Sequence, residues 1–129
     1  MKKYLAFLTL AIAVLSFNFS MIEKNPVAAV MSWSTTEVDF GKIALSKPVT
    51  ADFKFQNTGN TPLVIVSAQG SCGCTVAEYT KGEILPGEYG EVTATYNAAK
   101  VGAFNKTVTV NANTDNGPIT LRIKGEVVN

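Results

Sequence analysis

Histidine is missing from all 129 residues of this chain. Its absence removes the commonest general base and the commonest protein metal ligand. No serine or threonine has an imidazole to activate it. A dominant charge is missing as well. Eleven Lys and Arg stand against ten Asp and Glu, scattered in both signs. The chain has no basic stripe, which argues against nucleic acid as a ligand, and no acidic tail. The acids Asp39, Asp52, Glu78, Glu83, Glu88 and Glu91 show no spacing that suggests an acid–base pair. Gly82, Gly87, Gly90 and Gly102 match no phosphate-cradling pattern. These absences point to a protein that is not an enzyme and carries no cofactor.

Long apolar runs are confined to the start. Lys2 and Lys3 precede an apolar stretch from Tyr4 to Phe17, interrupted by Thr9 and Ser16. Val27-Ala28-Ala29 supplies small residues suited to cleavage after Ala29. Residues 1–29 therefore read as a signal peptide. An uncleaved anchor is the alternative, because Tyr4 to Ile22 is long enough to cross a bilayer of about 30 Å. Contact with membrane is expected only in that case. Either way the remaining chain is extracytoplasmic, periplasmic or secreted. Removing residues 1–29 leaves 100 of the 129, enough for one domain with one core. That portion keeps eight cations, since Lys2, Lys3 and Lys24 are lost, and nine acids, since Glu23 is lost.

Helical periodicity is also lacking beyond the linker at residues 30–34. The period is two. Val49, Ala51, Phe53 and Phe55 alternate with Thr50, Asp52, Lys54 and Gln56, as in a half-buried strand. Val92, Ala94 and Tyr96 alternate with Glu91, Thr93 and Thr95, and Ile119 to Val127 repeats the pattern. Leu63 to Val66 reads as a run buried on both sides. Phe104 to Asn111, Glu37 to Ile43 and Cys74 to Tyr79 complete the set. Asn57 to Pro62, Pro86-Gly87-Glu88 and Asn113 to Pro118 are turn signals. About seven short antiparallel strands over residues 35–129 describe an all-β, immunoglobulin-like sandwich. Trp33, the one tryptophan, is expected to plug one end of its core.

Several of these residues carry a resemblance. Asn57, Gly59, Pro62 and Leu63 in the first turn come first, then Ser71-Cys72-Gly73-Cys74-Thr75. Pro86 and Gly87 follow, then Gly102 to Lys106 and the closing Ile123-Lys124-Gly125-Glu126-Val127. Together they resemble the bacterial domain of unknown function 1573, over roughly Trp33 to Val128. The resemblance implies an immunoglobulin-like fold related to major sperm protein and Hydin repeats, and export in bacteria. It implies structural roles for Asn57, Gly59, Pro62, Gly73, Thr75, Pro86, Gly87, Gly102 and Gly125. It implies no reaction.

Cysteine is scarce: Cys72 and Cys74 are the two in the chain. They are the candidate redox or metal residues. Residues two apart in an extended chain lie about 6.6–7.2 Å apart at Cα, whereas disulfides favour about 5.5–6 Å. A bond between them needs a bent backbone, which Gly73 can supply through positive φ. Three readings stay open. The pair forms a small buried corner, reduced or oxidised. It performs thiol–disulfide chemistry, with Lys81 the nearest following cation. Or it binds a soft metal such as copper(I) with help from Met31, a carboxylate or a second chain. The leading functional expectation is a module that binds a protein partner in the cell envelope by β-strand addition. The first strand, Glu37 to Ile43, or the closing strand, Ile119 to Val127, would offer the edge. Lys42 or Lys124 would limit indiscriminate pairing.

Overall fold

The computed structural model describes residues 29–129. Of the leader read at residues 1–29, residues 1–28 lie outside them. Eight strands form, one more than the sequence pattern suggests: β1 (Met31–Trp33), β2 (Glu37–Ala44), β3 (Val49–Asn57), β4 (Ile65–Gly70), β5 (Thr75–Tyr79), β6 (Tyr89–Tyr96), β7 (Gly102–Ala112) and β8 (Ile119–Val128). They build two four-stranded sheets, in the orders β1-β3-β6-β5 and β2-β8-β7-β4. The extra strand is β1, inside the segment read as a linker. It pairs with β3, setting Trp33 opposite Phe55. Their rings lie 4.9 Å apart, so Trp33 packs along a sheet edge as well as against the core. Ala29 is buried in the core and bridges Thr114. The packed unit thus begins before residue 35.

The alternating strands place their apolar halves inward. Phe53 and Phe55 of β3 and Val92, Ala94 and Tyr96 of β6 are buried. So are Phe104, Val108 and Val110 of β7 and Leu121, Ile123 and Val127 of β8. Their polar alternates face water, the arrangement that pleated strands with one dry face require. The run from Leu63 to Val66 is a correction. Leu63 and Ile65 are buried, but Val66 is 67% exposed. Val66 faces outward by alternation from Ile65, and a register slip between Ile65 and Ser67 leaves Ser67 opposite Asn111 and brings Ala68 opposite the buried Val110.

One pairing is not antiparallel. β2 runs parallel to β8, from Glu37 opposite Arg122 to Ala44 opposite Val128. The strand's half-buried apolar residues are Val38, Phe40, Ile43 and Leu45 nearby. They change parity between 40 and 43. A regular strand cannot bury both pairs, so the register shifts between Asp39 and Lys42. Gly41 takes φ +67° there, and its N–H donates to Asp39 Oδ1 at 2.8 Å. Positive φ is cheap for glycine and costly for other residues. The bulge keeps Lys42 outside while Ile43 turns in.

Candidate functional site

The corner between β4 and β5 holds both cysteines. Thr75 N–H donates to Cys72 C=O at 3.2 Å, closing a tight turn over residues 72–75. The turn brings the Cys72 and Cys74 Cα atoms to 5.2 Å, and a disulfide joins them. Both cysteines are half-buried, and Thr75 beneath them is buried. The reduced, fully buried form of the structural reading is therefore not what the fold presents. Gly73 does not bend the chain by positive φ; it is absent from the glycines that do. It is exposed, with open space where a Cβ would stand. The glycine that the corner requires is Gly70. A Cβ there would clash with the Thr75 carbonyl oxygen, far inside van der Waals contact.

The loop closed by this disulfide is three residues long. Chain entropy credits so small a ring with only about 1.6 kcal/mol. Lys81 is not its neighbour: its ammonium sits 3.4 Å over the Tyr79 ring, past the far end of β5. Among the described residues, no group of three or more Cys, Asp or Glu gathers where it could hold a metal ion.

The structural residues converge elsewhere. Asn57 is fully buried at the end of β3. Its Nδ2 donates to Thr61 C=O at 2.8 Å and to Ile84 C=O at 2.9 Å. Its Oδ1 accepts from Gly59 N–H at 3.0 Å and Val30 N–H at 3.4 Å. Every hydrogen-bonding site of the side-chain amide is used. Pro86 and Gly87 form the turn closed by Glu88 N–H on Leu85 C=O at 2.9 Å, with Gly87 at φ +86°. Gly87 N–H also donates to Asn57 C=O at 2.7 Å. Asn57, Gly59, Pro86 and Gly87 are thus one cluster at one end of the sandwich. Pro62 C=O accepts from Asn113 Nδ2 at 3.0 Å, and Val64 N–H donates to Asn113 Oδ1 at 2.8 Å. Asn113 is a tie that the sequence pattern marked only as a turn. Gly102 opens β7, and Gly125 lies against Gly41 and the Phe104 ring, too close for any side chain. Cys72, Cys74, Gly73 and Thr75 form a separate group at the corner.

The edges of the sheets are the third feature. β8 lies between β2 and β7, so its backbone is paired on both sides. The closing strand is therefore not available for strand addition, contrary to the expectation above. β2 is an edge. Its outer side chains are opposite in sign to those of β8: Glu37 faces Arg122, Asp39 faces Lys124 and Lys42 faces Glu126. Glu37 Oε1 meets Lys124 Nζ at 2.7 Å. That hydrogen bond and the lysine charge hold the Glu37 carboxyl below its ordinary range, and the same contact raises Lys124. A groove of about 560 Å³ lies beside the bulge, lined by Asp39, Lys42, Lys124 and Glu126 among others.

The family model described as Protein of unknown function (DUF1573) matches residues 31–127. The chain belongs to that family. No curated protein matches the DUF1573 chain, whereas solved structures do. A protein of unknown function from Porphyromonas gingivalis W83 aligns with TM-score 0.67 and 19% identity, over 76% of this chain and 46% of that one. The DUF1573 chain thus spans about half of that relative. PapD-like domain 7 of human CEP192 aligns with TM-score 0.62 and 10% identity, over 80% and 88%. The YadV chaperone aligns with TM-score 0.52 and 18% identity, over 75% and 50%. At these identities the likeness is one of fold.

Proposed function

We propose that this DUF1573 domain is an exported, non-enzymatic module that binds an extended segment of another envelope protein along the edge of β2. The observation that carries the reading is the length and openness of that edge. β2 has eight residues, against three in β1, six in β4 and five in β5. The β4 and β5 edges approach each other, and Tyr79 Oη donates to Val66 C=O across them at 3.2 Å. Strand addition needs a row of backbone groups free to pair, and β2 offers the longest such row. The charges of Asp39 and Lys42, with the Gly41 bulge, limit promiscuous pairing.

Alternation gives the test. Thr36 C=O accepts from Arg122 N–H, so Thr36 and Val38 point their backbone groups to β8, and Asp39 points outward. Asp39→Pro removes that outward N–H, while Asp39→Ala keeps it; both lose the Gly41 contact. Affinity capture from envelope extracts is expected to succeed with wild type and Asp39→Ala and to fail with Asp39→Pro. Equal capture by both folded variants, or capture of nothing under several conditions, rejects the edge.

A further inference from the structure

The β4–β5 corner holds chemistry that strand addition leaves unused. The disulfide closes a ring too small to contribute much to the fold. Both cysteines are half-buried, so the pair lies at the surface of the sandwich and not within its core. Thr75 Oγ1 lies 3.8 Å from Cys72 Sγ and 4.0 Å from Cys74 Sγ. Its hydroxyl proton can turn towards whichever sulfur carries negative charge.

A cation belongs to the same corner. Ser71 N–H donates to Thr107 C=O at 2.8 Å, and Thr107 N–H donates to Ser71 Oγ at 3.2 Å. The β4–β7 register ends at Gly70 opposite Val108; carried two residues further, it would bring Cys72 opposite Lys106. Lys106 lies opposite Ile123 and alternates with Phe104 and Val108, all three of them buried. Alternation puts Lys106 on that same core-facing side of β7, where it is half-buried. Lysine is seldom placed on a dry face without a partner. The one ion pair among the described residues joins Lys124 to Glu37, so no described carboxylate forms an ion pair with Lys106. A lysine ammonium within reach of a leaving sulfur would stabilise its negative charge.

We propose that Cys72–Cys74 is a thiol-exchange site, in which Lys106 and the Thr75 hydroxyl stabilise the departing thiolate. The co-reactant is an outside thiol, borne by a small molecule or by a polypeptide cysteine. Its thiolate attacks one sulfur of the pair. The S–S bond breaks, and its electron pair leaves on the other sulfur as a thiolate. A second outside thiolate attacks the external sulfur of the mixed disulfide and releases the second cysteine thiolate. Two outside thiols are oxidised to one disulfide, the pair is reduced to two thiols, and the reagents' two protons end on the cysteines. This goes beyond the binding reading and does not depend on it.

The test uses the oxidised protein under native conditions. It is mixed with reduced glutathione or with a reduced single-cysteine peptide, quenched with acid at intervals, alkylated and weighed intact. Opening of the pair through a mixed disulfide is expected. Lys106→Met should slow opening roughly three- to tenfold, because a less stable thiolate leaves more slowly. Lys106→Arg should restore most of the rate, which a purely packing role would not explain. Circular dichroism of each variant separates exchange from unfolding. Faster reaction with the peptide assigns the thiol to a polypeptide, and faster reaction with glutathione to a small molecule; either supports the site. A pair that stays closed until denaturant is added overturns the proposal. Equal rates in wild type and Lys106→Met overturn the role of the lysine.

Discussion

Single residues carry unequal weight here, and the sequence ranks them imperfectly. Asn57 joins two turns and the amino-terminal segment through four side-chain hydrogen bonds. Asn57→Ala removes a partner from the Thr61 and Ile84 carbonyls and from the Gly59 and Val30 N–H groups, although Ile84 C=O keeps the Leu63 N–H. A loss of about 3 kcal/mol is expected, since each buried group left unpaired costs about 1–3 kcal/mol; urea unfolding checks it. The turn signal around Asn57 was legible because turn residues act locally. Its reach to Ile84 was not, because that contact spans the chain. The two corner glycines invert the sequence expectation. Gly70→Ala is expected to cost about 1–3 kcal/mol through overpacking against Thr75. Gly73→Ala should stay within about 0.5 kcal/mol, as for an open surface site. Parallel thermal melts of the two variants decide the ranking. Gly73 stands out in sequence by lying between the cysteines. Gly70 is set by a carbonyl five residues on, which no local pattern marks.

At the scale of elements, β2 is the informative strand. Its parity change at Gly41 was present in the spacing of Val38, Phe40, Ile43 and Leu45, although a strand ending at Ile43 was the simpler reading. Deleting Gly41 removes the extra residue, puts Val38, Phe40, Ile43 and Leu45 in one parity with Lys42 outside, and lets β2 pair with β8 in a single regular register. A folded domain with β2–β8 amide pairing by NMR is expected from that variant, and loss of that pairing would show that the bulge itself is required. The parallel pairing with β8 could not be read from either strand alone, because both patterns suit either direction. The ion pair between Glu37 and Lys124 gives this pairing a pH signature. The Glu37 value is lowered in the fold, so its contribution holds above the unfolded value and fades as pH falls through the folded one. The Lys124 value is raised, so its contribution fades as pH rises through the folded value. The pair therefore acts fully between the ordinary values of about 4.5 and 10.5. Both side chains face water, so the effect is small and screened by salt. Glu37→Gln should flatten the melting temperature's pH dependence at both ends, most visibly at low ionic strength.

For the whole molecule, the strand pairings decide cooperativity. β2 is joined to β8, and β1 to β3, so distant parts of the chain meet in both sheets. Non-local pairing slows folding. Single-domain refolding on the order of milliseconds to seconds is expected by stopped-flow fluorescence of Trp33. The disulfide constrains only three residues. Replacing both cysteines with serine should therefore lower stability by no more than about 1.6 kcal/mol, with the transition still cooperative. A larger loss would mean that the corner holds the sheets together.

The sequence alone settled the class of this protein. Alternation of apolar and polar residues dictates strands with one dry face, and enough of them close a two-layer core. That information is local, with a period of two, and survives without any knowledge of neighbours. Partners across the sheets are a different matter. Which strand lies at an edge, which lysine meets Glu37 and which closing-strand glycine cannot bear a methyl group depend on chain segments tens of residues apart. Only the packed structure brings those segments together. Gly125 shows the division: in sequence it is one glycine in the closing strand, and in the fold the Gly41 backbone and the Phe104 ring leave no room for a side chain.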